Sequence, residues 1–255
     1  MRIGQLISVI WEKSRLNLKS EASTNYLSYA WWFLEPIIQM LCYYTVFELL
    51  LNRGGPGYVE FLLVGLVPWL WFARTVNQAS NSLINGRGMM NQLDIPKLFF
   101  PVVIVVQCSV KQLLVVAVLL LFLVLVGKPF SLHWLALIPL LLVQFLLIIP
   151  FALVTSLAVA YVADLKHVIP TAIQFMFFAS GIFFNINDIS TRYVDLFLLN
   201  PMAGLVVSYR EAVLNNSWPD WSYLAIIALC SVLVLLLMVV LFQRADKSIA
   251  RLVQE

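Results

Sequence analysis

The sequence predicts an all-α integral membrane protein with six transmembrane helices, an N-terminal interfacial helix, and short re-entrant or interfacial helices before the last span. Hydrophobic residues make up 62% of the 255 residues and charged residues only 11%, whereas soluble domains carry about 25% charged residues. The apolar residues are gathered in runs long enough to cross a hydrocarbon core of about 30 Å as helices. These runs are continuous rather than alternating, which excludes a transmembrane barrel.

Six apolar runs of this length occur, and we predict one membrane-crossing helix in each. They cover residues 31–51, 61–84, 98–126, 134–163, 168–186 and 221–242. The segment before the first run lacks the short apolar core and cleavage site of a signal peptide, so we expect it to persist in the mature chain. Cys42, Cys108 and Cys230 fall inside the runs without metal-ligand or paired spacing, which indicates small buried hydrophobes.

The distribution of lysine and arginine predicts how the chain is oriented in the membrane. An even number of spans puts both termini on one side, together with the loops near 86–97 and 164–167. That side carries Arg2, Lys13, Arg15, Lys19, Arg87, Lys97, Lys166, Arg244, Lys247 and Arg251. The other side carries Arg53, Lys128, Arg192 and Arg210. We therefore predict a multi-pass protein of the cytoplasmic (inner) membrane with both termini in the cytoplasm.

Residues 1–30 are typical of an amphipathic helix that lies flat against the inner leaflet. Its apolar residues recur at helical spacing, at Ile3, Leu6, Ile7, Ile10 and Trp11. Its basic residues follow, at Lys13, Arg15 and Lys19. Such a helix either fixes the topology as an anchor or forms a collar that holds a cytoplasmic partner or an anionic lipid head group.

The second predicted span is apolar in its first half and polar in its second. The polar half carries Arg74, Asn77, Gln78, Ser80, Asn81 and Ser82. These polar side chains are unfavourable in contact with lipid, so they must face other helices or a wet pathway. The same holds for Lys111 in the third span. Glu35 and Glu48 in the first span are possible partners for the two cations. An internal ion pair that only fixes helix packing is the alternative explanation.

The region 187–220 is too polar and too broken for a plain span. Because proline disfavours helical backbone in the residue before it, the Asn200–Pro201 step predicts two short helices, over 194–199 and 202–214. We interpret the region as an outer gate, and the alternative is an amphipathic loop in the head groups. The candidate gate residues are Asn200, Pro201, Tyr209, Arg210 and Glu211.

The sequence offers little for catalysis. Its two histidines, His133 and His167, are predicted on opposite sides of the membrane, so neither a histidine metal site nor a hydrolytic triad is expected. No G-x-x-x-x-G-K-[ST] motif occurs, so the chain has no phosphate-binding loop of that kind with which to hydrolyse ATP. We expect no cofactor and no metal in this chain.

Four stretches occur in an order that resembles the permease subunits of type-2 ABC exporters, in the branch that exports lipid-linked polysaccharides such as O-antigens, capsules and teichoic acids. They are YLSYAWWFLEP, then GLVPWLWFARTVNQASNSLI with NQLDIPKLFFP, then AYVADLKHVIPTAIQFMFFASGIFF, and finally LLNPMAGLVVSYREAVL. The resemblance covers nearly the whole chain. The sequence departs from the family pattern at Ser28 (commonly glycine), Ile95 (commonly phenylalanine) and Ala163 (commonly arginine).

The resemblance implies one transmembrane domain over residues 1–255 that is not an enzyme. It implies a homodimer of this chain with two copies of a separate ABC ATPase, which binds the ATP and Mg²⁺. Residues 86–100 resemble the cytoplasmic coupling segment, in which Asp94 and Lys97 would offer surface charge while Pro96 and Pro101 fix the entry and exit angles. The second contact would involve Asp164, Lys166 and His167. A turn with solvated charges is the alternative for such loops.

A polysaccharide would need a pathway of aromatic faces and hydrogen-bonding groups, because one face of a sugar ring is apolar while its hydroxyls are not. We predict that the first and fifth spans line it, with Gln39, Tyr43, Tyr44, Phe47, Gln174, Phe177, Phe178 and Phe184 as the candidate residues. Aromatic belts or ordinary helix contacts are the alternative. Lys13, Arg15 and Lys19 are candidates for the phosphate-bearing head group of the lipid carrier.

Two other functions are compatible with the sequence. A type-2 ABC permease could export a drug or a lipid, which neighbouring genes for efflux regulators rather than sugar transferases would indicate. A secondary transporter would show internal repeats and a midplane site on broken helices, and no convincing repeat occurs. Membrane lipids are expected partners, and nucleic acid is not.

Overall fold

The protein is described by a computed structural model that covers residues 3–24, 28–50, 55, 57–93, 95–128, 130–186 and 191–252. These residues form helices and connecting turns without any strand, which confirms the all-α prediction. The α-helices are α1 (Ile3–Thr24), α2 (Ser28–Tyr44), α3 (Tyr58–Ser80), α4 (Ser82–Asn85), α5 (Arg87–Gln92), α6 (Phe99–Leu125), α7 (Leu137–Tyr161), α8 (Leu165–Phe178), α9 (Thr191–Leu198), α10 (Pro201–Val213) and α11 (Trp221–Leu252).

Four helical stretches among the described residues are long and apolar enough to cross a membrane. They are Tyr58–Ser80, Phe99–Leu125, Leu132–Tyr161 and Trp221–Asp246. They correspond to the second, third, fourth and sixth predicted spans. The third stretch begins with a 3₁₀ turn, Leu132–Ala136, that leads directly into α7.

The other two predicted spans form shorter helices. Helix α2 has 17 residues and continues into a π-helical segment, Thr45–Leu50. Helix α8 has 14 residues, so at about 1.5 Å per residue it is about 21 Å long, less than the thickness of a hydrocarbon core. It ends at Phe178 because the chain then turns at Gly181, whose φ of +67° favours glycine.

Helix α3 is the centre of the bundle, and most of its residues are buried. Two buried amides fix it to its neighbours beside Pro68, a proline inside the helix. Gln112 of α6 donates to the carbonyl of Val67 at 3.2 Å, and Gln144 of α7 donates to the carbonyl of Pro68 at 2.7 Å. Such bonds between helices hold a bundle together where the hydrophobic effect gives no preference between lipid and protein.

One end of the bundle, which we call the basic end, contains segments that the distribution of lysine and arginine placed together on the cytoplasmic side. A core cluster there contains Ile10, Leu83, Ile95, Phe99, Phe100, Val103, Leu153, Met238, Phe242 and Ile249. It therefore brings α1, the connection between α3 and α6, and the final parts of α7 and α11 to the same end. Lys13, Arg15, Arg87, Lys97, Lys166 and Arg244 lie in or beside these segments.

Helix α1 runs beside the first half of α6. Their contacts advance along both helices together, from Ser14 with the Val103 carbonyl at 3.3 Å to Lys111 with Glu21 at 2.7 Å. Near the start of α1, Ile7 and Trp11 are more than half exposed. The carboxylate that binds Lys111 is therefore on α1, and it was not among the possible partners named from the sequence.

The predicted helix break at Asn200–Pro201 is confirmed, and the two helices are α9 and α10. Asn200 has extended backbone, and its side chain accepts a hydrogen bond from the Met202 N–H as the N-cap of α10. Met202 and Leu205 are fully buried. Helix α10 packs against α3 and α7, which rules out a simple amphipathic loop at these residues.

We predict that the Gln144 amide stabilises the bundle by joining α10 to α3. Tyr209 donates to its oxygen at 2.8 Å, so Gln144→Leu leaves this buried hydroxyl without a partner and removes the hydrogen bond to the Pro68 carbonyl. We expect the free energy of unfolding in detergent to fall by about 1–2 kcal/mol. The double variant Gln144→Leu, Tyr209→Phe should be more stable than Gln144→Leu alone, because it removes the orphan hydroxyl. A double variant that is less stable would contradict this assignment.

Candidate functional site

A cleft of about 420 Å³ opens between α2, α3 and α8. It is lined by Glu35, Gln39, Tyr43, Trp69, Leu70, Ala73, Arg74, Asn77, Gln78, Pro170, Ile173, Gln174 and Phe177. Four predicted channel residues, Gln39, Tyr43, Gln174 and Phe177, thus come together at one place. The polar second half of α3 forms another wall of the cleft. This position fits the expectation that these residues avoid contact with lipid.

An ion pair joins two walls of the cleft. Arg74 of α3 donates a hydrogen bond to the Glu35 carboxylate of α2. Glu35 was one of its two predicted partners. The side chains are 21% and 43% exposed, so the pair borders open space rather than the packed core. It neutralises the one basic side chain among the lining residues that the structure describes.

Uncharged amides supply the other polar groups of the cleft. Gln39 of α2 and Gln174 of α8 both line it, and Gln174 is exposed. Gln78 accepts a weak hydrogen bond from the Cys108 thiol at 3.5 Å. The Asn77 Oδ1 is buried and receives no hydrogen bond from the described residues. The cleft therefore offers hydrogen-bond acceptors and donors without net charge.

An aromatic cluster continues from the cleft towards the opposite end of the bundle. It contains Tyr43, Phe47, Phe177, Phe178 and Phe183, with neighbouring ring centroids 4.8 to 5.8 Å apart. Tilted and edge-to-face pairs of this kind add to the stability that burial gives. Phe178 is 55% exposed, so one edge of the cluster remains accessible.

Two of the predicted channel residues lie outside this arrangement. Tyr44 is half-buried against the main core and does not line the cleft. Phe184 packs on Phe197 of α9, with ring centroids 5.8 Å apart. Their proposed place in a pathway stays a prediction.

Arg210 of α10 fixes the turn that follows α8. It donates to the carbonyls of Gly181 and Ile182 at 2.7 and 2.8 Å, and to the Phe61 carbonyl of α3 at 3.2 Å. Its guanidinium also stacks over the Phe61 ring at 3.4 Å. Close packing requires a glycine beneath it, since a Cβ at Gly65 would lie 2.7 Å from Nη2 of Arg210.

Asn200 holds the same turn from the start of α10. Its Nδ2 donates to the Ala179 carbonyl at 3.1 Å and to the Ser180 hydroxyl at 3.0 Å. The turn continues to Phe183, so α10 determines where this ring of the aromatic cluster lies. Of the other candidate gate residues, Pro201 begins α10 and Glu211 is half-buried near its end.

The predicted coupling segment differs from expectation in two ways. Its helix is α5 (Arg87–Gln92), which ends at the second residue of NQLDIPKLFFP, and Leu93, Ile95 and Pro96 are not helical. The position of α5 is fixed by close packing, since a Cβ at Gly86 would lie 2.4 Å from the Phe100 ring. Asp94 lies outside the described residues.

The expectation that Lys97 offers a surface charge is wrong. The side chain is buried, and its Nζ lies 3.5 Å from Oδ2 of Asp246 in α11 and 3.2 Å from the Ile95 carbonyl. The Lys97 N–H also donates to Asp246 Oδ1 at 2.8 Å. The pair therefore ties the segment to the last helix.

The second predicted coupling contact is accessible. Asp164, Lys166 and His167 are all exposed at the turn between α7 and α8, at the basic end. Pro96 is half-buried beside the same end. The α7–α8 turn therefore carries the exposed charges that a docking surface needs.

The candidate head-group residues lie on α1. Arg15 and Lys19 are exposed, and Lys13 is half-buried. Arg15 lies 3.9 Å from Glu12 in an exposed pair one turn apart, which leaves it available to other anions.

Several residues that organise the site were not among the predicted ones. Trp69 lines the cleft and contacts Phe177, with ring centroids 5.7 Å apart. Glu21 could have been found from the polar stripe Ser14, Asn17 and Glu21, whose spacing of three and four residues places it on one helix face. Asp246 gives no comparable local signal.

Comparison with known proteins places the chain among transporters. Residues 5–214 match the family model described as ABC-2 type transporter. A Myxococcus xanthus protein named O-antigen export system permease protein RfbA is 27% identical over 243 residues, which cover 91% of this chain and 88% of that protein. A Klebsiella pneumoniae protein of the same name is 25% identical over 226 residues, 88% and 87% of the two chains.

A more distant relative carries a different name. The polysialic acid transport protein KpsM of Escherichia coli is 23% identical over 228 residues, which cover 87% of each chain. The three relatives therefore align with this chain over nearly the same length.

We predict that Arg210→Lys destabilises the protein, because an ammonium cannot reproduce a planar fork of donors to three carbonyls. The free energy of unfolding should fall by about 2 kcal/mol, the scale of a lost charged hydrogen bond. Arg15→Lys is the matched control, and its thermal unfolding should be unchanged because that pair is exposed. Equal stability of the two variants would show that Arg210 does not hold the turn.

Proposed function

This chain belongs to the ABC-2 type transporter family, and we propose that it is the membrane permease subunit that exports a lipid-linked polysaccharide across the cytoplasmic membrane. The observation that carries the proposal is the cleft between α2, α3 and α8, where amides and aromatic rings lie side by side. Ring faces pack on the C–H faces of sugars, and amides bind their hydroxyls. The relatives named for O-antigen export and polysialic acid transport support the same class of substrate.

The proposed pathway requires a second copy of the chain. The cleft and the exposed ring of Phe178 form an open surface on one protomer rather than an enclosed channel. Two copies related by a two-fold axis would bring two such surfaces together, and a closed isologous dimer is the commonest way to do so. We therefore propose a homodimer whose protomers enclose the pathway with their α2 and α8 helices.

The proposed topology keeps six membrane passages and both termini in the cytoplasm. Helix α2 with its π-helical segment covers 23 residues, 28–50, about 35 Å at the usual helical rise, which is enough to cross. Helix α8 enters the membrane from the basic end, and the turn after Phe178 with α9 and α10 completes this passage through the outer half. The basic side chains at one end of the bundle support a cytoplasmic position for that end.

The proposed energy source is a separate ABC ATPase, present in two copies and binding ATP with Mg²⁺. The exposed α7–α8 turn and helix α5 lie at the basic end, where a cytoplasmic subunit would dock. The buried Lys97–Asp246 pair would transmit movement of this region to α11. Helix α1, with exposed Ile7 and Trp11, would lie in the interface, where Lys13, Arg15 and Lys19 could attract the carrier's head group.

We predict that charge reversal at the exposed turn weakens binding to the ATPase without unfolding the chain. The variant Asp164→Lys, Lys166→Glu should reduce co-elution with the genetically linked ATPase by several fold, because complementary charges guide such docking. Lys97→Ala should instead lower the thermal stability of the isolated chain, since it leaves Asp246 unpaired. Lys128→Glu, at the opposite end, is the control that should co-elute normally. Failure of the unmodified chain to bind any ATPase would favour a secondary transporter.

We predict that Phe178→Ala lowers polysaccharide export while the complex stays intact. The ring is more than half exposed, so its removal leaves no large cavity in the core but takes a stacking surface from the pathway. Phe130→Ala is the matched control, because that ring is 73% exposed and lies outside the cleft. Surface polysaccharide per copy of complex is the measurement, and equal export by both variants would remove Phe178 from the pathway.

A further inference from the structure

We infer that the exported glycan is uncharged, and this inference rests on the proposed function. The relatives do not decide the point, because polysialic acid is a polyanion with a carboxylate on every sugar. The chemistry of the cleft does discriminate between the two classes of polymer.

The charged groups on the walls of the cleft balance each other. Among the described residues that line it, Glu35 is the one acidic side chain and Arg74 the one basic side chain. A polyanion would therefore meet walls without a surplus of positive charge, in surroundings that screen charge poorly.

The one basic side chain that lines the cleft is already paired. Arg74 is bonded to Glu35 across the cleft. An anionic sugar that recruited Arg74 would leave the Glu35 carboxylate without its partner, and breaking a partly buried pair in this way is unfavourable. The same residues recur in the second protomer of the proposed dimer, so assembly adds no net positive charge.

The uncharged groups of the cleft also suit a neutral sugar. The buried Asn77 Oδ1 receives no hydrogen bond from the described part of the chain. A sugar hydroxyl can donate to this oxygen, whereas an ionised carboxylate group only accepts and would be repelled by it. The faces of the aromatic rings carry partial negative charge, so they too favour the C–H face of a neutral sugar over an anion.

The test compares two strains of one host that differ only in the glycan they build on the same lipid carrier. One makes a polymer of an uncharged hexose, and the other makes a polymer of a hexuronic acid with one carboxylate per residue. Each strain expresses the chain with its ATPase, and surface glycan is measured per copy of complex. We expect at least tenfold more export of the uncharged polymer.

Two variants sharpen the test. Gln174→Lys adds a cation to the exposed wall of the cleft and should raise export of the acidic polymer several fold relative to the uncharged one. Gln243→Lys makes the same change at an exposed site of α11, outside the cleft, and should leave the ratio unchanged. Co-elution with the ATPase verifies that both variants assemble.

The outcomes separate this inference from the proposed function. Equal export of both polymers, or better export of the acidic one, would overturn the inference while the permease function stands. If Gln174→Lys leaves the ratio of acidic to uncharged polymer export unchanged, the charge of the cleft does not select the glycan. Export of neither polymer by the assembled complex would overturn the proposed function together with the inference.

Discussion

The hydrogen bonds that Arg210 donates to three backbone carbonyls fix the wall of the cleft. Helix α8 stops after 14 residues, and the turn that follows exposes carbonyls that a continuing helix would have satisfied. Such groups are costly in apolar surroundings unless a donor reaches them. Arg210 and Asn200 supply those donors from α10, and Tyr209 joins α10 through Gln144 to the centre of α3. One chain of contacts therefore connects the middle of the bundle to Phe183 and the aromatic cluster.

The polar side chains of the apolar helices consequently fall into two groups. Gln112, Gln144 and Arg210 are buried and donate to backbone carbonyls of α3 or of the turn after α8. These residues stabilise the fold. Glu35, Arg74 and the amides of the cleft bind one another or border open space. The second group is the one suited to a passing substrate, because its hydrogen-bonding groups remain within reach.

Local rules were sufficient to predict the all-α class, four of the spans and the break at Asn200–Pro201, since each depends on residues close together in sequence. The aromatic residues of the first and fifth spans were also expected to meet, and the cleft brings Tyr43 and Phe177 together. The partners of two lysines were not predictable in this way. Lys97 binds a carboxylate 149 residues away, and Lys111 binds one on a helix that was expected to lie apart in the interface. Such pairs depend on which helix faces pack, which no local pattern specifies.

The pairing of Glu21 with Lys111 also constrains how the chain is built. The two residues are 90 positions apart, so at a synthesis rate of about 5–20 residues per second the carboxylate waits roughly 5–18 s for its partner. During that interval α2 and α3 are inserted before Lys111 is available to Glu21. The arrival of α6 then fixes α1, so the first helix to be translated gains this contact only after two later spans are in place.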